Sequence, residues 1–353
     1  MEDRMKNILV TGGSGFIGTN FVRYLLTESD FSGRIVNVDN LTYAGNPENL
    51  RDIEEGFPKE YIFIKADICD PKTMSQIFKK YRIDTICHFA AESHVDRSIV
   101  KPDSFIHTNI IGTFTLLEIA KSNQERLNLF HHISTDEVFG SLGKKGFFTE
   151  KTAYRPNSPY SASKAGADHL VRAYHKTYGL PVTISNCSNN YGPYQFPEKL
   201  IPLVILNAKE RRPIPVYGDG KNIRDWLYVR DHCVAIWEIM KNGKRGEAYN
   251  IGGGTELENI RLIEMICDLV DQMSHREDKM PRRELITFVK DRPGHDKRYA
   301  IDATKIKNAM GWAPEESFET GIRKTINWYM SHKEWVNHVK SGEYRSWIKE
   351  HYR

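Results

Sequence analysis

Short apolar runs alternate with amphipathic segments through the first half of the chain. The apolar runs favour β-strands and occupy residues 8–11, 34–39, 61–66, 85–91, 129–134 and 182–186. Residues 74–81 and 105–120 have a helical period, as does the segment after residue 18, where Phe21, Val22, Leu25 and Leu26 share one face. Strands that alternate with helices predict βαβ units, and therefore an α/β fold with a doubly wound parallel sheet.

The composition of the sequence changes after about residue 190, where five prolines fall within 23 residues, at positions 193, 197, 202, 213 and 215. We therefore expect a first, dinucleotide-binding domain of the Rossmann type at residues 1–190, which also receives about residues 225–252. Residues 191–353 are expected to form a smaller α/β domain interleaved with it. The charged segment 274–284 is predicted to be an exposed loop, and residues 335–353 a surface helix.

Composition narrows the function classes. Of the 353 residues, 40% are hydrophobic and 27% charged, and no apolar run approaches the 18 residues that suggest a membrane span. The net charge of +4 is too small to indicate nucleic-acid binding. Five scattered cysteines with no CxxC pair argue against a disulfide scaffold and favour a reducing, cytoplasmic location. No histidine pair converges with carboxylates at ligand spacing, so no metal site is predicted.

A glycine-rich turn, TGGSGFIG, follows the first predicted strand. Gly12, Gly15 and Gly18 permit a tight turn, the approach of a pyrophosphate to the backbone, and close packing of helix on strand. Asp39 ends the second strand 21 residues after Gly18, where a carboxylate can bind the adenosine ribose. Because Asn40 rather than arginine follows it, NAD is favoured over NADP. A plain turn is the alternative interpretation.

A second motif lies in the segment SPYSASKAGADHLV. Ser158 and Pro159 suit the start of a helix, and the i, i+4 spacing of Tyr160 and Lys164 places both side chains on one helical face. A nearby ammonium is expected to lower the pKa of the tyrosine, which could then take a proton from a sugar hydroxyl. A surface pair without function is the alternative.

These motifs resemble the extended short-chain dehydrogenase/reductase family that acts on nucleotide sugars, from about residue 8 to residue 328. The segment STDEVFG, which contains Thr135, Asp136 and Glu137, resembles that of the dTDP-glucose 4,6-dehydratases. So do the segments AAESHVDRSI, NNYGP, GDGKNIRDWLYVRDH and DRPGHDKRYAID. The alternative interpretation of the two acids is a helix cap beside a solvated neighbour.

The resemblance implies a mechanism. Tyr160 takes the proton of the 4-hydroxyl while NAD, tightly bound and regenerated in each turnover, accepts the hydride from carbon 4. Glu137 then removes the proton on carbon 5, protonated Asp136 gives its proton to the departing 6-hydroxyl, and hydride returns to carbon 6. One carboxyl group must be ionised and the other neutral, which burial and a like-charged neighbour can achieve. Thr135 is expected to bind the 4-hydroxyl, with a role as a cap as the alternative.

Strand ends and the resemblance together imply the binding residues. Asp67 is expected near the adenine, with a helix cap as its other role. The cofactor contacts implied are Gly12, Gly15, Phe16, Ile17, Gly18, Asp39, Asn40, Leu41, Thr42, Asp67, Ile68, Phe89, Ala90, Ala91, Thr108, Tyr160, Lys164 and Asn190. The substrate contacts implied are Ser93, Thr135, Asn189, Lys199, Leu200, Pro215, Val216, Tyr217, Arg224, Asn259, Asp291, Arg292 and His295. For Arg224 and Arg292, the alternative is a structural ion pair with Asp225 or Asp291.

Other functions remain open on the sequence alone. A nucleotide-sugar 4-epimerase would share the glycines, Tyr160 and Lys164, but the acid pair argues against it. A UDP-glucuronate decarboxylase would need a site for the substrate carboxylate. An NAD-binding regulator without activity would typically lack Tyr160 or Lys164. The resemblance also implies a homodimer, formed by helices near residues 105–120 and 165–178.

Overall fold

A computed structural model describes residues 5–274 and 280–341 of the chain. Its largest element is a sheet of seven strands, all parallel, in the order β10-β6-β5-β4-β1-β2-β3. The strands of the molecule are β1 (Asn7–Thr11), β2 (Arg34–Asp39), β3 (Tyr61–Lys65), β4 (Thr85–His88), β5 (Leu129–Thr135), β6 (Val182–Cys187), β7 (Asn189–Tyr191), β8 (Ile214–Tyr217), β9 (Ile223–Tyr228), β10 (Ala248–Ile251), β11 (Glu256–Glu258) and β12 (Ile286–Val289). The predicted doubly wound parallel sheet is confirmed.

Helices cover both faces of this sheet. The helices of the described residues, in both parts of the molecule, are α1 (Phe16–Thr27), α2 (Arg51–Gly56), α3 (Pro71–Lys80), α4 (Val95–Val100), α5 (Asp103–Phe105), α6 (Thr113–Ser122), α7 (Pro159–Tyr178), α8 (Leu200–Glu210), α9 (Val229–Asn242), α10 (Asn259–Met273), α11 (Thr304–Met310), α12 (Phe318–Ser331) and α13 (Lys333–Val339). Short 3-10 helices lie at Pro47–Leu50, Asp136–Phe139 and Arg282–Leu285.

The alternation of side chains along β1 shows how the two faces are buried. Ile8 and Val10 pack on one face with Phe21 of α1 and Trp237 of α9, whereas Leu9 packs on the other face against the helices that include α3 and α6. Because both faces are covered, the strand is a continuous apolar run with no polar alternation. Strand order reverses at β1, which has β2 on one side and β4 on the other. A crevice at the carboxyl ends of these strands is the expected ligand site of such a sheet.

The remaining elements form a smaller group around their own core. β11, β9 and β7 make a three-stranded sheet, and β12 pairs with β8. Helices α8, α10 and α12 supply its buried side chains, among them Ile205, Leu262, Ile266 and Ile322. The return to the large sheet begins with α9, which packs on α1, and continues with β10 beside β6. Residues 226–228, which we expected to take part in that return, lie in β9 instead.

Several predicted elements differ in detail from the structure. The predicted strand at residues 85–91 ends at His88, and residues 89–91 leave the sheet. The predicted helix at residues 105–120 contains a π-helical segment, Ile106–Gly112, between α5 and α6. Of the predicted loop at residues 274–284 and the predicted helix at residues 335–353, residues 275–279 and 342–353 lie outside the described part of the chain.

Candidate active site

The glycine-rich turn joins β1 to α1 at the point of strand reversal. Gly12 has φ of +73°, and a Cβ there would lie 2.6 Å from the backbone nitrogen of Ala90. A Cβ on Gly18 would lie 2.4 Å from the carbonyl oxygen of Gly12. Both positions therefore exclude a side chain. Helix α1 begins at Phe16 with no side chain capping it, so its first N–H groups are free to bind an anion.

Asp39 lies at the end of β2, beside that turn. Its Oδ2 accepts a hydrogen bond from the N–H of Ser14 at 3.0 Å, and its Oδ1 accepts one from the N–H of Leu41 at 2.8 Å. Burial raises the pKa of the Asp39 carboxyl, and the two N–H groups oppose the rise. Leu41 was predicted as a cofactor contact, but it does not line the cavity. Its backbone is left-handed (φ +54°), and its N–H donates to Asp39.

A large cavity opens at the carboxyl ends of the strands. Every predicted cofactor contact except Leu41 lines it. Asp67 lies in the wall, where Asn40 and the N–H of Cys69 donate to its carboxylate. The cap of the following helix α3 is Asp70 rather than Asp67. Thr108 lies within the π-helical segment and faces the cavity rather than capping a helix.

The acid pair lies where β5 ends. The Oγ1 of Thr135 accepts from the N–H of Glu137 at 3.2 Å and caps the short 3-10 helix, so the predicted cap is present. Asp136 is only 2% exposed, and its Oδ2 has no hydrogen-bond partner among the described residues. Both carboxyl groups line the cavity, together with Thr135.

The two acids differ in the balance of charges around them. Burial raises the pKa of Asp136 well above its ordinary value, and the negative charges of Glu137 and Asp225 raise it further, with a smaller opposing effect of Arg224. Burial also raises the pKa of Glu137, but three cations, Arg292, Arg224 and Lys199, oppose that rise. Asp136 is therefore the group that is more easily kept protonated, and Glu137 the one more easily ionised.

Helix α7 carries Tyr160 and Lys164 into the cavity wall. Ser158 and Ser161 form a capping box at its start, and Pro159 is its first residue, as predicted. The Lys164 ammonium donates to the carbonyl oxygen of Ile133 at 2.7 Å. The expected lowering of the tyrosine pKa is wrong here, because burial and the charge of Glu137 raise the pKa of Tyr160 well above its ordinary value.

A second cavity adjoins the first on the side of the smaller group of elements. Eleven of the predicted substrate contacts line it, namely Ser93, Asn189, Lys199, Leu200, Pro215, Val216, Tyr217, Arg224, Asn259, Arg292 and His295. Five residues line both cavities, namely Ser93, Glu137, Asn189, Glu198 and Lys199. The two cavities therefore share a wall that contains the candidate base Glu137.

Asp291 was predicted as a substrate contact, but it does not line the second cavity. Its Oδ1 lies 2.6 Å from Nδ1 of His295 and accepts from the N–H of Arg292 at 2.9 Å. The carboxylate thus orients His295, which does face the cavity. A sequence motif shows that such residues are near a site, but it cannot show which of them points inward.

The two arginines of the second cavity differ in how they are held. Arg224 donates to the carbonyl oxygens of Ile223 and Asp296, at 2.8 and 3.0 Å, and lies over the ring of Tyr299. Both of these hydrogen bonds of its guanidinium go to carbonyl oxygens, so the predicted alternative of a pair with Asp225 is not found among the described residues. Arg292 does form an ion pair, but with Asp96 at 3.1 Å rather than with Asp291.

Sequence reasoning missed several residues of the cavities. Asp96 accepts from the hydroxyl of Tyr217 at 3.0 Å as well as from Arg292, and Tyr299 packs under Arg224. Both lie in segments that carried the family resemblance, at residues 90–99 and 291–302. Glu198 and Tyr43 had no such signal, because their neighbours are brought together only by the fold.

The comparisons with known proteins agree with the geometry of the site. A family model described as GDP-mannose 4,6 dehydratase matches residues 9–325. The dTDP-glucose 4,6-dehydratase 1 of Escherichia coli (strain K12) is 55% identical, and the alignment covers 98% of this chain and 98% of that protein. The chain belongs to the dTDP-glucose 4,6-dehydratase family.

Solved structures of the same family have the same fold. The dTDP-glucose 4,6-dehydratase of Bacillus anthracis in complex with NAD is 46% identical, with a TM-score of 0.85 over 95% of this chain and 100% of that chain. DesIV of Streptomyces venezuelae, a dTDP-glucose 4,6-dehydratase with NAD bound, is 43% identical, with a TM-score of 0.87 over the same shares of the two chains. The predicted resemblance to enzymes of nucleotide sugars is confirmed.

One group of side chains among the described residues could hold a metal ion, although none was predicted. Asp67, Cys69 and His107 bring possible ligand atoms within 4.8 Å of one another, a group that spacing along the chain did not reveal. Its members come from the loop after β3 and from the π-helical segment.

Within the described ranges, no helix is both long and apolar enough to span a membrane.

Proposed function

We propose that this protein dehydrates dTDP-glucose to dTDP-4-keto-6-deoxyglucose with NAD as a regenerated cofactor. The observation that carries the proposal is the buried pair Asp136 and Glu137, in one cavity wall with Tyr160 and Lys164. Dehydration needs a proton donor and a proton acceptor at neighbouring carbons, in addition to the groups that oxidise a hydroxyl. A 4-epimerase needs only the latter, so the acid pair favours dehydration.

The residues of the large cavity suit NAD. The N-terminus of α1 and the turn at Gly12 offer N–H groups to a pyrophosphate, and the Asp39 carboxylate at the end of β2 is placed to repel a 2′-phosphate. When bound, NAD accepts a hydride from carbon 4 of the sugar and later returns it to carbon 6. The protein's own task is to move protons and to hold the sugar.

Oxidation at carbon 4 requires a base for the hydroxyl proton. We assign this role to the Tyr160 oxygen, with Thr135 as a hydrogen-bond partner of the sugar hydroxyl. Because burial and Glu137 raise the pKa of Tyr160, the phenolate needs positive charge close by. Lys164, one helical turn away on the same face, is the candidate cation.

Elimination requires the acid pair to act in opposite protonation states. Glu137, faced by Arg292, Arg224 and Lys199, is assigned as the base that takes the proton from carbon 5. Asp136, faced by other carboxyl groups, is assigned as the acid that protonates the leaving 6-hydroxyl. The charges that surround each carboxyl group support this division of roles.

The second cavity is assigned to the nucleoside diphosphate. Arg224 offers a planar guanidinium held by two carbonyl oxygens and a ring, which suits a phosphate. The buried Asn259 Oδ1 and Asn189 Oδ1 have no partners among the described residues, and both side chains face the cavity. They are therefore available to the substrate.

The setting of the enzyme is also a proposal. Exposed apolar side chains follow the π-helical segment and α6, namely Ile106, Ile111 and Phe114, at 42–44% exposure. A second copy of this chain, packed along these helices and α7, would cover them, so we assign the protein as a homodimer. All five cysteines are unpaired, which supports a reducing compartment such as the cytoplasm. The product is suited to deoxysugar synthesis, for example that of rhamnose.

The test is the mass of the product formed from dTDP-glucose without added reductant. The expected result is the loss of one water, because the hydride is recycled on bound NAD. An unchanged mass with inverted configuration at carbon 4 would support the epimerase and overturn the proposal. Loss of carbon dioxide from UDP-glucuronate would support the decarboxylase. Tyr160→Phe is the matched control, because it lacks the proposed base and should not convert the sugar.

A further inference from the structure

A third residue continues the line of Tyr160 and Lys164 on α7. Asp168 follows Lys164 by four residues, so the three side chains lie on the same face of the helix. They are progressively more buried, with 8%, 4% and 0% exposure. Asp168 lines neither cavity, and so it cannot reach a bound sugar.

Three donors contact one oxygen of the Asp168 carboxylate, and His132 lies beside the other oxygen without a hydrogen bond to it. Its Oδ2 accepts from the hydroxyls of Ser134 and Tyr154, both at 2.8 Å, and from Nδ2 of Asn186 at 3.4 Å. Its Oδ1 lies 3.1 Å from Nε2 of His132. Two neighbouring strands, β5 and β6, and the loop before α7 thus converge on a single side chain. Such a set of donors stabilises an anion rather than a neutral acid.

The titratable groups around Lys164 and Asp168 come from every adjoining element. They are His88 of β4, His132 of β5, Cys187 of β6, Tyr154 with Arg172 behind it, and Tyr160 of α7 itself. Burial opposes ionisation of Asp168, but His132 beside its Oδ1, the charge of Lys164 and the hydroxyl of Ser134 hold its pKa below the ordinary value. Burial lowers the pKa of Lys164, and the charge of Asp168 is the largest influence that opposes this.

We propose that Asp168 is a positioning residue of the reaction, whose buried carboxylate, one helical turn beyond Lys164, keeps that ammonium charged in the cavity wall it shares with Tyr160. The inference rests on the proposed roles of Tyr160 and Lys164. Lys164 is anchored by one carbonyl oxygen, that of Ile133, which supplies no full charge. A lysine buried to this extent loses its proton readily unless a counter-ion is near. Without Asp168, the cation that the Tyr160 phenolate requires is lost.

The first test is the pH dependence of kcat on dTDP-glucose. In Asp168→Asn the alkaline limb should move to lower pH by about one unit or more, since removal of a nearby opposite charge shifts a pKa by that amount. KM should change little, because Asp168 touches no substrate. Asp168→Glu keeps the charge, and Tyr154→Phe removes one donor but not the charge, so both should keep the limb of the wild type. An unshifted limb in Asp168→Asn would overturn the proposal.

The second test needs no activity, so its failure is distinct from failure of the proposed function. Thermal unfolding midpoints are compared for the NAD-loaded wild type, Asp168→Asn, Lys164→Met and the double variant. If the carboxylate serves Lys164, Asp168→Asn lowers the midpoint more in the wild type than in Lys164→Met, where the cation that the carboxylate serves is already absent. Equal loss in both backgrounds, or a double variant that does not fold, would show that Asp168 only supports the fold.

Discussion

Replacement of Asp136 by asparagine separates the two halves of the proposed reaction. The amide has nearly the shape of the acid but carries no acidic proton. Asp136 is 2% exposed, and burial with Glu137 and Asp225 raises its pKa, which favours the neutral form that the proposed acid requires. The amide of asparagine is neutral as well. Loss of a general acid slows its step by about 10²- to 10⁴-fold, or about 3–5 kcal/mol of barrier.

Oxidation at carbon 4 does not use Asp136 and should continue. We expect Asp136→Asn to form NADH in a single turnover, visible in its near-ultraviolet absorbance, and to release almost no dehydrated product by mass. In D₂O, the proton on carbon 5 should still exchange, because Glu137 remains in place.

The matched control is Asp84→Asn, a carboxyl group of similar burial at the opposite, amino end of β4, where it accepts from the N–H groups of Lys6 and Asn7. That variant should lose stability but keep kcat. Dehydration by Asp136→Asn within about twofold of the wild-type rate would refute the role of the acid and the reasoning from its surroundings.

Three further outcomes are expected. Gly18→Ala should lower the fraction of purified protein that retains NAD, because the new Cβ would lie 2.4 Å from a backbone oxygen. The control Gly56→Ala should retain NAD, because nothing lies within 4 Å of the Cβ at that position. The absorbance of the released cofactor measures the retained fraction in both variants. Arg224→Lys should raise KM for dTDP-glucose by about tenfold with a smaller effect on kcat, since an ammonium cannot bind a phosphate through two parallel bonds; steady-state kinetics would reveal an unchanged KM if the assignment is wrong. Burial lowers the pKa of His131 to about 3 in the folded chain. Between about pH 6.5 and pH 3, the unfolded chain therefore takes up a proton at this residue and the folded chain does not. The stability that this group contributes above pH 6.5 is lost as the pH falls through that range. The loss for this group is about 2 kcal/mol at pH 5, and urea unfolding of His131→Gln should show a correspondingly weaker decline below pH 6.5.

Local sequence patterns were sufficient for six of the seven strands of the large sheet, all except β10, and for the turn at its centre. The apolar runs are buried on both faces, so each reads as a strand without help from its neighbours. Gly12 and Gly18 could be predicted because a backbone atom occupies the space of each missing Cβ. The start of α7 could also be predicted locally, because Ser158 and Pro159 are residue types that favour the first positions of a helix.

The remaining features depend on distant parts of the chain. Arg292 pairs with Asp96, 196 residues away, and no local pattern connects them. The sign of the pKa shift of Tyr160 was predicted from its nearest helical neighbour, but burial and Glu137 from another element outweigh that neighbour. Leu41 and Asp291 lie in the right segments but do not line the cavities, because a motif fixes the position of a backbone and not the contacts of every side chain.

The shared wall between the two cavities has a consequence for laboratory evolution of this enzyme. Ser93, Glu137, Asn189, Glu198 and Lys199 line both compartments, so on the proposed assignment a change at any of them is expected to affect the binding of cofactor and sugar nucleotide together. Libraries that seek a new sugar nucleotide should leave these five positions intact. Diversity is better placed at Pro215, Val216 and Tyr217, which line only the second cavity, where selection can act on the base without loss of the cofactor.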